Sequence, residues 1–432
     1  MIARIMERIG AYREDGHVSP GLYEYQRGEA GRQIRLHLRV DPDGSGLLLV
    51  NAAEAATLSP TGVLLAHGLL EGDSDETLVR RVRGVFRVSG PELAADLARI
   101  AELLSGAAPP AGGYPVVDLG GGSAERGRQL AAPYRADLVP GDPVRTRALL
   151  QRLWQAGIPH VTFLATPQNG LDLPTLVEAA GDIGMITGVR SLASWLTPEA
   201  IDLCVQAGLD HLSLLYVSAD PAVHDELAGA GDHARVLAAF AQGEQLKLAV
   251  AAQVPLWASN LGEALEDTII AVHRAGVHNL TFFALACPND DQASQAAGAL
   301  PARALPQVAL TIEETSARVQ TRFVWTPPVR FDPGRSLAAQ VVAGPRTEGD
   351  VAVRVEADGS VLPARGSREC VGNVLSDTWE RIWDHACFAR YRERLAAPTR
   401  CGDCPDLVIC ATDCPKDPEG WSDDRRPEEE AS

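Results

Sequence analysis

Short apolar segments alternate with helical segments between about residues 115 and 330, and this alternation constrains the fold more than any other feature. The segments HVTFLA (160–165), HLSLLYV (211–217) and NLTFFALA (279–286) each follow a helical stretch that closes with Ala-Gly. Strands that are apolar on both faces and are separated by helices form parallel sheets covered on both sides. Roughly six such units, from a first strand at 114–119 to a last at 317–329, predict an α/β fold with a partial (β/α)6 TIM-like barrel.

Charge and hydropathy exclude several classes of protein. The 432 residues carry a formal net charge of −18, which gives no electrostatic footprint for nucleic acid and disfavours anionic membrane surfaces. No segment approaches the roughly 20 apolar residues that a membrane span needs. The charged start MIARIMERIGAYRED does not resemble a secretory signal. We therefore expect a cytoplasmic protein with no nucleic-acid or membrane partner.

The first 108 residues predict a separate small domain. Two strands are expected on either side of an Asp-Pro-Asp-Gly turn at 41–44, followed by a helix with Ser59 as cap and Gly72 as stop. Two further helices have Ser74 and Ser89 as caps. Strands followed by three helices predict a winged-helix-like α+β domain. A linker rich in Gly, Pro and Ala separates this domain from the barrel, which we place at 114–335.

A third domain is expected at 345–420. It begins with a hairpin that turns at Asp358-Gly359 and continues into an amphipathic helix within 376–395. Six of the eight cysteines of the chain lie in this part of the sequence. The tail, 421–432, is acidic and is expected to be disordered.

Four of these cysteines form a compact pattern, C-x2-C-x5-C-x3-C, at Cys401, Cys404, Cys410 and Cys414. Crowded cysteines in a reducing compartment favour a metal site over disulfides. Four thiolates suit a structural zinc or an iron–sulfur cluster. No histidine lies among the four, and proline follows two of them, which favours iron and sulfur.

The segment from Gly359 to Cys414 resembles the SPASM domain, the iron–sulfur extension of many radical S-adenosylmethionine (SAM) enzymes. The four-cysteine spacing and the Gly372-Asn373 pair match the family pattern, whereas Ala364 stands where the family places its first cysteine. The resemblance adds Cys370 and Cys387 as candidate ligands, although Cys387 could equally be a small buried hydrophobe. It implies one complete [4Fe–4S] cluster, or two if a ligand other than cysteine completes the second.

The barrel also resembles a radical SAM barrel, over the units that begin at Gly157 and Leu196. Such enzymes need a C-x3-C-x2-C motif after the first strand. The corresponding stretch, 118–138, contains no cysteine. The family's Gly-Gly-Glu-Pro stretch corresponds to Ala165–Gln168, without its acidic residue. The resemblance therefore implies a degenerate member, a pseudoenzyme for which SAM is an unlikely cofactor.

Two other groups of barrel residues invite a functional interpretation. His224, Asp225, Asp232 and His233 could converge at the carboxyl end of the strands, where barrels place their sites, or could belong to a solvated loop. The glycines of DLGGGSAERG (118–127) could cradle a phosphate, but their spacing does not fit a nucleotide-binding fingerprint. His160, His211 and His278 are expected to be structural.

The first domain resembles the peptide chaperone of pyrroloquinoline quinone biosynthesis, also called the RiPP recognition element because it binds ribosomally made, post-translationally modified peptides. The resemblance lies in Gly46–Ala52, Leu58–Gly62 and Asp96–Ile100. It implies that a leader peptide adds as a strand to a sheet edge. A winged-helix domain with only a packing role is the alternative.

These resemblances together imply an accessory or scaffold protein in the maturation of a ribosomal peptide or a peptide-derived cofactor. Its partners would be a peptide substrate or leader peptide and an active radical SAM enzyme. Two alternatives stay open at this stage. One is an iron–sulfur enzyme, a peptide-modifying oxidoreductase that uses the barrel mouth. The other is a zinc protein with a role in assembly.

Overall fold

A computed structural model describes residues 16–27, 34–50, 54–105, 131–167, 172–326, 328–349, 352–364 and 369–388. The chain divides into two compact units, 1–121 and 122–432. The division falls close to the Gly/Pro/Ala linker that the sequence indicates. The three domain boundaries expected from the sequence remain predictions.

The N-terminal unit is an antiparallel sheet packed on three helices. Its strands are β1 (Gly21–Arg27), β2 (Ile34–Val40), β3 (Gly46–Val50) and β4 (Glu54–Leu58), and its helices are α1 (Pro60–Glu71), α2 (Asp75–Val85) and α3 (Gly90–Ser105). The strands pair in chain order, so β1 and β4 are the two edges among the described residues. The sequence predicted two of these four strands and all three helices.

Local signals in the sequence define the ends of these helices. The Ser59 hydroxyl accepts the Gly62 N–H at 3.2 Å, and Gly72 closes α1 in the left-handed conformation with φ 83°. Ser74 caps α2 in the same way as Ser59 caps α1. Alternate residues of β2 and β3, such as Leu38 and Leu48, are buried against the helices and form a core separate from that of the barrel.

The second unit begins with repeated strand–helix pairs. Its elements are β5 (Arg135–Leu138), α4 (Pro143–Gln155), β6 (His160–Leu164), α5 (Leu173–Ile183), β7 (Ile186–Ser191), α6 (Pro198–Gln206), β8 (His211–Leu215), α7 (Pro221–Ala228), α8 (Asp232–Gln245), β9 (Ala249–Leu256), α9 (Glu263–Arg274) and β10 (Asn279–Cys287).

The rest of this unit has shorter elements. They are α10 (Gln292–Ala296), β11 (Leu300–Pro301), α11 (Leu305–Val319), β12 (Arg322–Trp325), β13 (Val329–Arg330), α12 (Leu337–Ala343), β14 (Ala352–Val355), β15 (Ser360–Pro363), β16 (Gly372–Asn373) and α13 (Trp379–Trp383). Short 3-10 turns occupy 193–195 and 302–304.

The strands of this unit form one 12-stranded sheet, ordered β11-β10-β9-β8-β7-β6-β5-β14-β15-β16, with β12 and β13 also paired to β10. All pairs from β5 to β10 are parallel. Such a sheet with crossover helices is the arrangement that the alternating pattern predicts. The predicted barrel is confirmed as a mixed α/β fold with a large parallel sheet.

The beginning of the barrel differs from the prediction. The expected first strand at 114–119 lies outside the described residues. The strand that pairs with β6 is β5, within a stretch that the sequence interpretation treated as loop. Only 139–142 separate β5 from α4. The prediction missed β5 because two of its four residues, Arg135 and Asp137, are charged and interrupt the apolar pattern.

The predicted hairpin extends the sheet beyond β5. Strand β14 pairs in parallel with β5, and β15 then pairs antiparallel with β14 around a turn at Gly359, whose φ is 91°. The predicted helix after it is short. Thr378 caps α13, which ends at Trp383, and 386–388 are helical again before the described residues end.

None of the described helices combines the length and the apolar character needed to cross a bilayer.

Candidate functional site

The two faces of the parallel sheet carry different side chains. The outer face packs on the helices through apolar residues such as Ala136, Leu212 and Val254. Because side chains alternate along a strand, the residues between these point to the inner face. The buried polar residues there include Asp137, Thr162, Arg190, Ser213, Gln253 and Thr281, and the partly buried Arg135 lies among them.

Four charged groups come together on this inner face. Arg135 Nε lies 3.1 Å from Asp137 Oδ1, and Arg190 Nη1 lies 3.9 Å from Asp137 Oδ2. Glu348, from the connection between α12 and β14, donates its backbone N–H to Asp137, and its carboxylate lies 3.5 Å from Arg135 Nη1. The side chains of Asp137, Arg190 and Glu348 are each at least nine-tenths buried. Two arginines thus balance two carboxylates inside the barrel.

Burial shifts the titration of this cluster. Loss of solvent raises the pKa of Glu348, although Arg135 and Arg190 oppose the shift. The same loss of solvent lowers the pKa of Arg190, against the attraction of Asp137 and Glu348. The ionised groups therefore depend on one another, since a buried charge without its partner is costly.

Two histidines lie on the same face, at the amino ends of their strands. The Nε2 atoms of His160 and His211 are 2.6 Å apart, so one ring donates to the other. His211 is fully buried, and burial together with Arg135 lowers its pKa to about 3. The ring of His211 packs against Gly188 of β7, where a Cβ atom would overlap it. The predicted structural role of both histidines agrees with this packing.

At the carboxyl ends of β7, β8, β9 and β10, buried apolar side chains form a group that we call the mouth cluster. Its buried members are Leu192, Leu215, Val217, Ala228, Trp257, Phe283, Leu285, Cys287, Ala299, Phe331 and Val341. Phe331 and Val341 come from the segment around α12, which packs against α7. In this part of the structure, the position where barrels usually hold ligands contains hydrophobic core.

The four polar residues suggested for the mouth do come together, with His224 and Asp232 buried and with Asp225 and His233 partly exposed. His224 Nδ1 accepts the Val217 N–H at 3.2 Å, so its Nε2 carries the proton and donates to Asp232 Oδ2 at 3.1 Å. The other oxygen of Asp232 accepts the Ser194 N–H at 2.7 Å. His224 and Asp232 are fully buried, so the solvated-loop interpretation is wrong for these two residues.

The remaining two residues of this group also support the backbone. Asp225 accepts the backbone N–H groups of His233 and Gly231, which lower the pKa of its carboxyl. His233 Nε2 lies 3.4 Å from the hydroxyl of Tyr216. Both ring nitrogens of His224 and both oxygens of Asp225 are engaged inside the protein, which favours a positioning role for the group.

The candidate metal ligands are only partly within the described residues. Cys401, Cys404, Cys410 and Cys414 lie outside them. Cys370 is exposed beside β16, where its thiol donates to the Gly372 carbonyl at 2.9 Å, and Cys387 is partly exposed. Within the described ranges no three His, Cys, Asp or Glu side chains are grouped as a metal site would require.

The accessible thiols differ from the two cysteines of the barrel. Burial raises the pKa of Cys204 to about 12 and of Cys287 to about 11, so both stay protonated and suit packing better than ligation. Cys370 and Cys387 are accessible to a cluster, and soft thiolates are the donors that iron–sulfur clusters take. The donor chemistry at the C-terminal end therefore fits an iron–sulfur group, whereas the barrel cysteines do not.

The sequence interpretation missed the charged cluster of the inner face. One signal was available: Asp137, Arg190 and Gln253 are polar residues at inner positions of otherwise apolar strands. Glu348 carried no such signal, because it lies in a connection without periodicity.

Comparison with known proteins gives curated relatives of modest similarity. The chain is 27% identical over 250 residues to a protein of Ruegeria pomeroyi named PqqA peptide cyclase. The match covers 56% of this chain and 65% of the relative, so the chain spans less than two thirds of that protein. No protein-family model matches the sequence.

The fold has counterparts among solved structures. SuiB of Streptococcus suis bound to S-adenosylmethionine gives a TM-score of 0.57 at 11% identity, over 90% of this chain and 94% of SuiB. SuiB bound to its precursor peptide SuiA gives 0.56 over the same shares. At this identity the likeness establishes the fold alone.

The comparisons confirm part of the sequence interpretation. They agree with the barrel-like α/β fold that the resemblance implied, and one curated relative is named a peptide cyclase. The winged-helix and SPASM assignments and the loss of SAM chemistry remain predictions. The expectation that SAM is an unlikely cofactor is not borne out, since SuiB was solved with SAM bound.

Proposed function

We propose that this chain is an iron–sulfur protein that assists the maturation of a ribosomally made peptide without cleaving SAM itself. Its N-terminal unit would hold the peptide, its barrel would serve as scaffold, and its C-terminal cysteines would bind a [4Fe–4S] cluster. An active radical SAM enzyme would carry out the chemistry. Each of these roles has its own support and its own test.

The occupied interior of the barrel is the observation that carries the proposal. SAM cleavage needs an iron–sulfur cluster held by three thiolates, and this sequence has no cysteine before Cys204. The carboxyl ends of β7 to β10 are packed with the mouth cluster, of which Trp257, Phe283 and Phe331 are the largest members. Charged groups paired with one another fill the layer below. Both features favour a scaffold over a SAM-binding barrel.

A peptide partner is favoured by the N-terminal unit and by the relatives. The sheet order places β1 and β4 at its described edges, where an extended peptide can add as a further strand. Among the proteins similar to this one, SuiB binds its precursor peptide SuiA, and the relative from Ruegeria pomeroyi is named for a peptide substrate. These similarities support a peptide as partner of this chain.

The absence of SAM cleavage can be measured directly. Anaerobically purified protein is incubated with SAM and a strong reductant, and 5′-deoxyadenosine is quantified. We expect none above the level of a reaction without protein. Repeated turnover would overturn the proposal and favour the alternative of a peptide-modifying iron–sulfur enzyme.

The metal is tested separately. We expect iron and acid-labile sulfide in the anaerobically purified chain, and their loss when Cys404 and Cys414 are both changed to Ser. Cys204→Ala is the matched control, because that thiol is buried in α6 and should leave the iron content unchanged. Zinc without sulfide would point instead to an assembly protein.

A further inference from the structure

The connection between α12 and β14 crosses the inner face of the barrel. At one end, Gly344 lies beside the side chain of Gln253 on β9. At the other end, Gly349 lies beside the guanidinium of Arg135 on β5. Strands β8, β7 and β6 separate β9 from β5 in the sheet. We call Gly344–Gly349 the crossing segment.

The crossing segment is held inside the barrel by polar contacts. Thr347 is 0% exposed and its hydroxyl donates to the Gly349 carbonyl at 2.8 Å. Arg346 donates to the carbonyl of Pro363 at 2.6 Å, which ties the segment to β15. Glu348 is 3% exposed and donates its backbone N–H to Asp137. A connection that is only a surface loop would expose these groups to water.

The carboxylate of Glu348 meets positive charge from two strands. Arg135 Nη1 of β5 lies 3.5 Å from it, and Arg190 of β7 attracts it across the cluster. Asp137 repels it, but each arginine also pairs with Asp137, so the charges balance. Arginines held by a framework of strands form a rigid receptor for a carboxylate.

We propose that the inner face of the barrel is a carboxylate-binding site and that the chain's own Glu348 occupies it. The strands supply the arginines, and the crossing segment supplies the ligand. A carboxylate from outside can enter only if Glu348 leaves. This inference goes beyond the proposed function, because it holds whether or not the chain binds iron or SAM.

The test removes the internal ligand and offers a free one. Glu348→Ala leaves both arginines short of one carboxylate, so we expect its thermal midpoint to fall by about 5–15 °C. Sodium acetate or formate should restore most of this loss, and sodium chloride at equal ionic strength should not. The wild-type protein should respond equally to both salts, because its site is filled.

Two further variants separate binding from general salt effects. Glu348→Gln keeps the volume without the charge, so it should be destabilised and acetate should not restore it. Glu356→Ala removes an accessible carboxylate that pairs with Arg354 at 2.6 Å, and it should change little in either salt. Equal restoration of all three variants by acetate, or a Glu348→Ala protein as stable as the wild type, would refute the site.

A measurement on the wild-type protein covers the case in which Glu348→Ala does not fold. Trypsin can cut after Arg346 within the crossing segment, and after Arg381, whose side chain is 78% exposed. We expect the bond after Arg346 to be cut only as fast as the whole unit unfolds, and the bond after Arg381 to be cut sooner. Cleavage after Arg346 at the rate seen after Arg381 would show that the crossing segment is not held inside. Neither experiment involves SAM or metal, so failure here would remove one support of the proposed function without deciding whether the chain binds iron or cleaves SAM.

Discussion

At the scale of single residues, buried polar groups of this barrel connect particular segments through directed hydrogen bonds, which its hydrophobic residues cannot do. His224 illustrates the point, because its two nitrogens connect the loop after β8 to the start of α8. With the Val217 N–H directed at Nδ1, only one tautomer satisfies both contacts. Such a residue holds the fold in register without touching any ligand.

Changing Asp232 to Asn tests this role. The new amide can still accept the Ser194 N–H, but it then presents N–H groups to the N–H of His224. Two donors facing each other in a buried site should lower the unfolding free energy by about 1–3 kcal/mol. Urea unfolding measures the change. Glu226→Gln, on an exposed position of α7, should stay within about 0.5 kcal/mol of the wild type.

His211 gives the barrel a predictable response to acid. Its folded-state pKa, about 3, lies below the unfolded value near 6.5, so the unfolded chain binds more protons between these values. Its contribution to stability is therefore present above pH 6.5 and is lost as the pH falls. Glu348 acts in the opposite sense, since its raised pKa lets the folded state take up a proton more easily.

A variant separates the two effects. His211→Asn removes the titrating imidazole but leaves Glu348 in place. Between pH 7 and pH 5 we expect the wild type to lose about 2 kcal/mol more of its unfolding free energy than this variant does. Urea titrations at several pH values measure the slope. Parallel slopes for the two proteins would show that folding does not lower the pKa of His211.

At the scale of elements, close contacts between neighbouring strands determine which residues fit at some positions. The hydrophobic pattern of the sequence does not encode these contacts. Gly188 lies in the middle of β7, where most residues of a strand carry a side chain. The imidazole of His211 from β8 occupies the space that a Cβ would fill. The sequence shows that a strand contains a glycine. It does not show that the His211 ring fills the space which a side chain at this position would need.

Gly188→Ala should therefore be costly. The added methyl has to displace a ring that is bonded to His160, and overpacking of this kind costs about 1–3 kcal/mol. Gly181→Ala is the matched control in the same unit, because Gly181 is exposed in α5 with its nearest neighbour 4.0 Å from a new Cβ. That change should be neutral or slightly stabilising. Thermal unfolding of both variants gives the comparison.

The elements also show how far the sequence leads. Strands β6, β8 and β10 and helices α4, α5 and α6 were predicted because apolar runs and helix caps are local signals. Strand β5 was missed because its inner residues are charged. Its pairing with β14, more than two hundred positions away, depends on a contact that no local window contains. The convergence of Arg135, Arg190 and Glu348 was hidden for the same reason.

At the scale of the whole molecule, the chain has two compact units. The interior of the barrel in the second unit is occupied by the protein's own side chains. The N-terminal unit has its own core and described sheet edges. The second unit has the barrel, its charged cluster and the accessible thiols. If the function proposed above holds, the stability of the molecule should respond to a peptide and to loss of metal rather than to SAM.

Thermal unfolding tests this expectation. A ligand that binds only the folded state raises the midpoint as its concentration exceeds the dissociation constant. SAM is added at concentrations up to about a hundred times the dissociation constant typical of an active enzyme. We expect the thermal midpoint of the iron-loaded protein to stay unchanged. A concentration-dependent rise would show a SAM site that the apolar mouth cluster does not block.

The parallel pairing of β14 with β5 has a consequence for how the protein is made. The β5 edge of the sheet stays unpaired until the ribosome has released the chain beyond about residue 363. The hydrogen bond between Asp137 and Glu348 also forms only when this part of the chain has been made. Contacts so distant in sequence are slow to form and leave a nascent strand open to wrong partners. A shortened gene that stops before this hairpin should therefore yield aggregates instead of a free-standing barrel, and chaperone demand should last until the hairpin has been made.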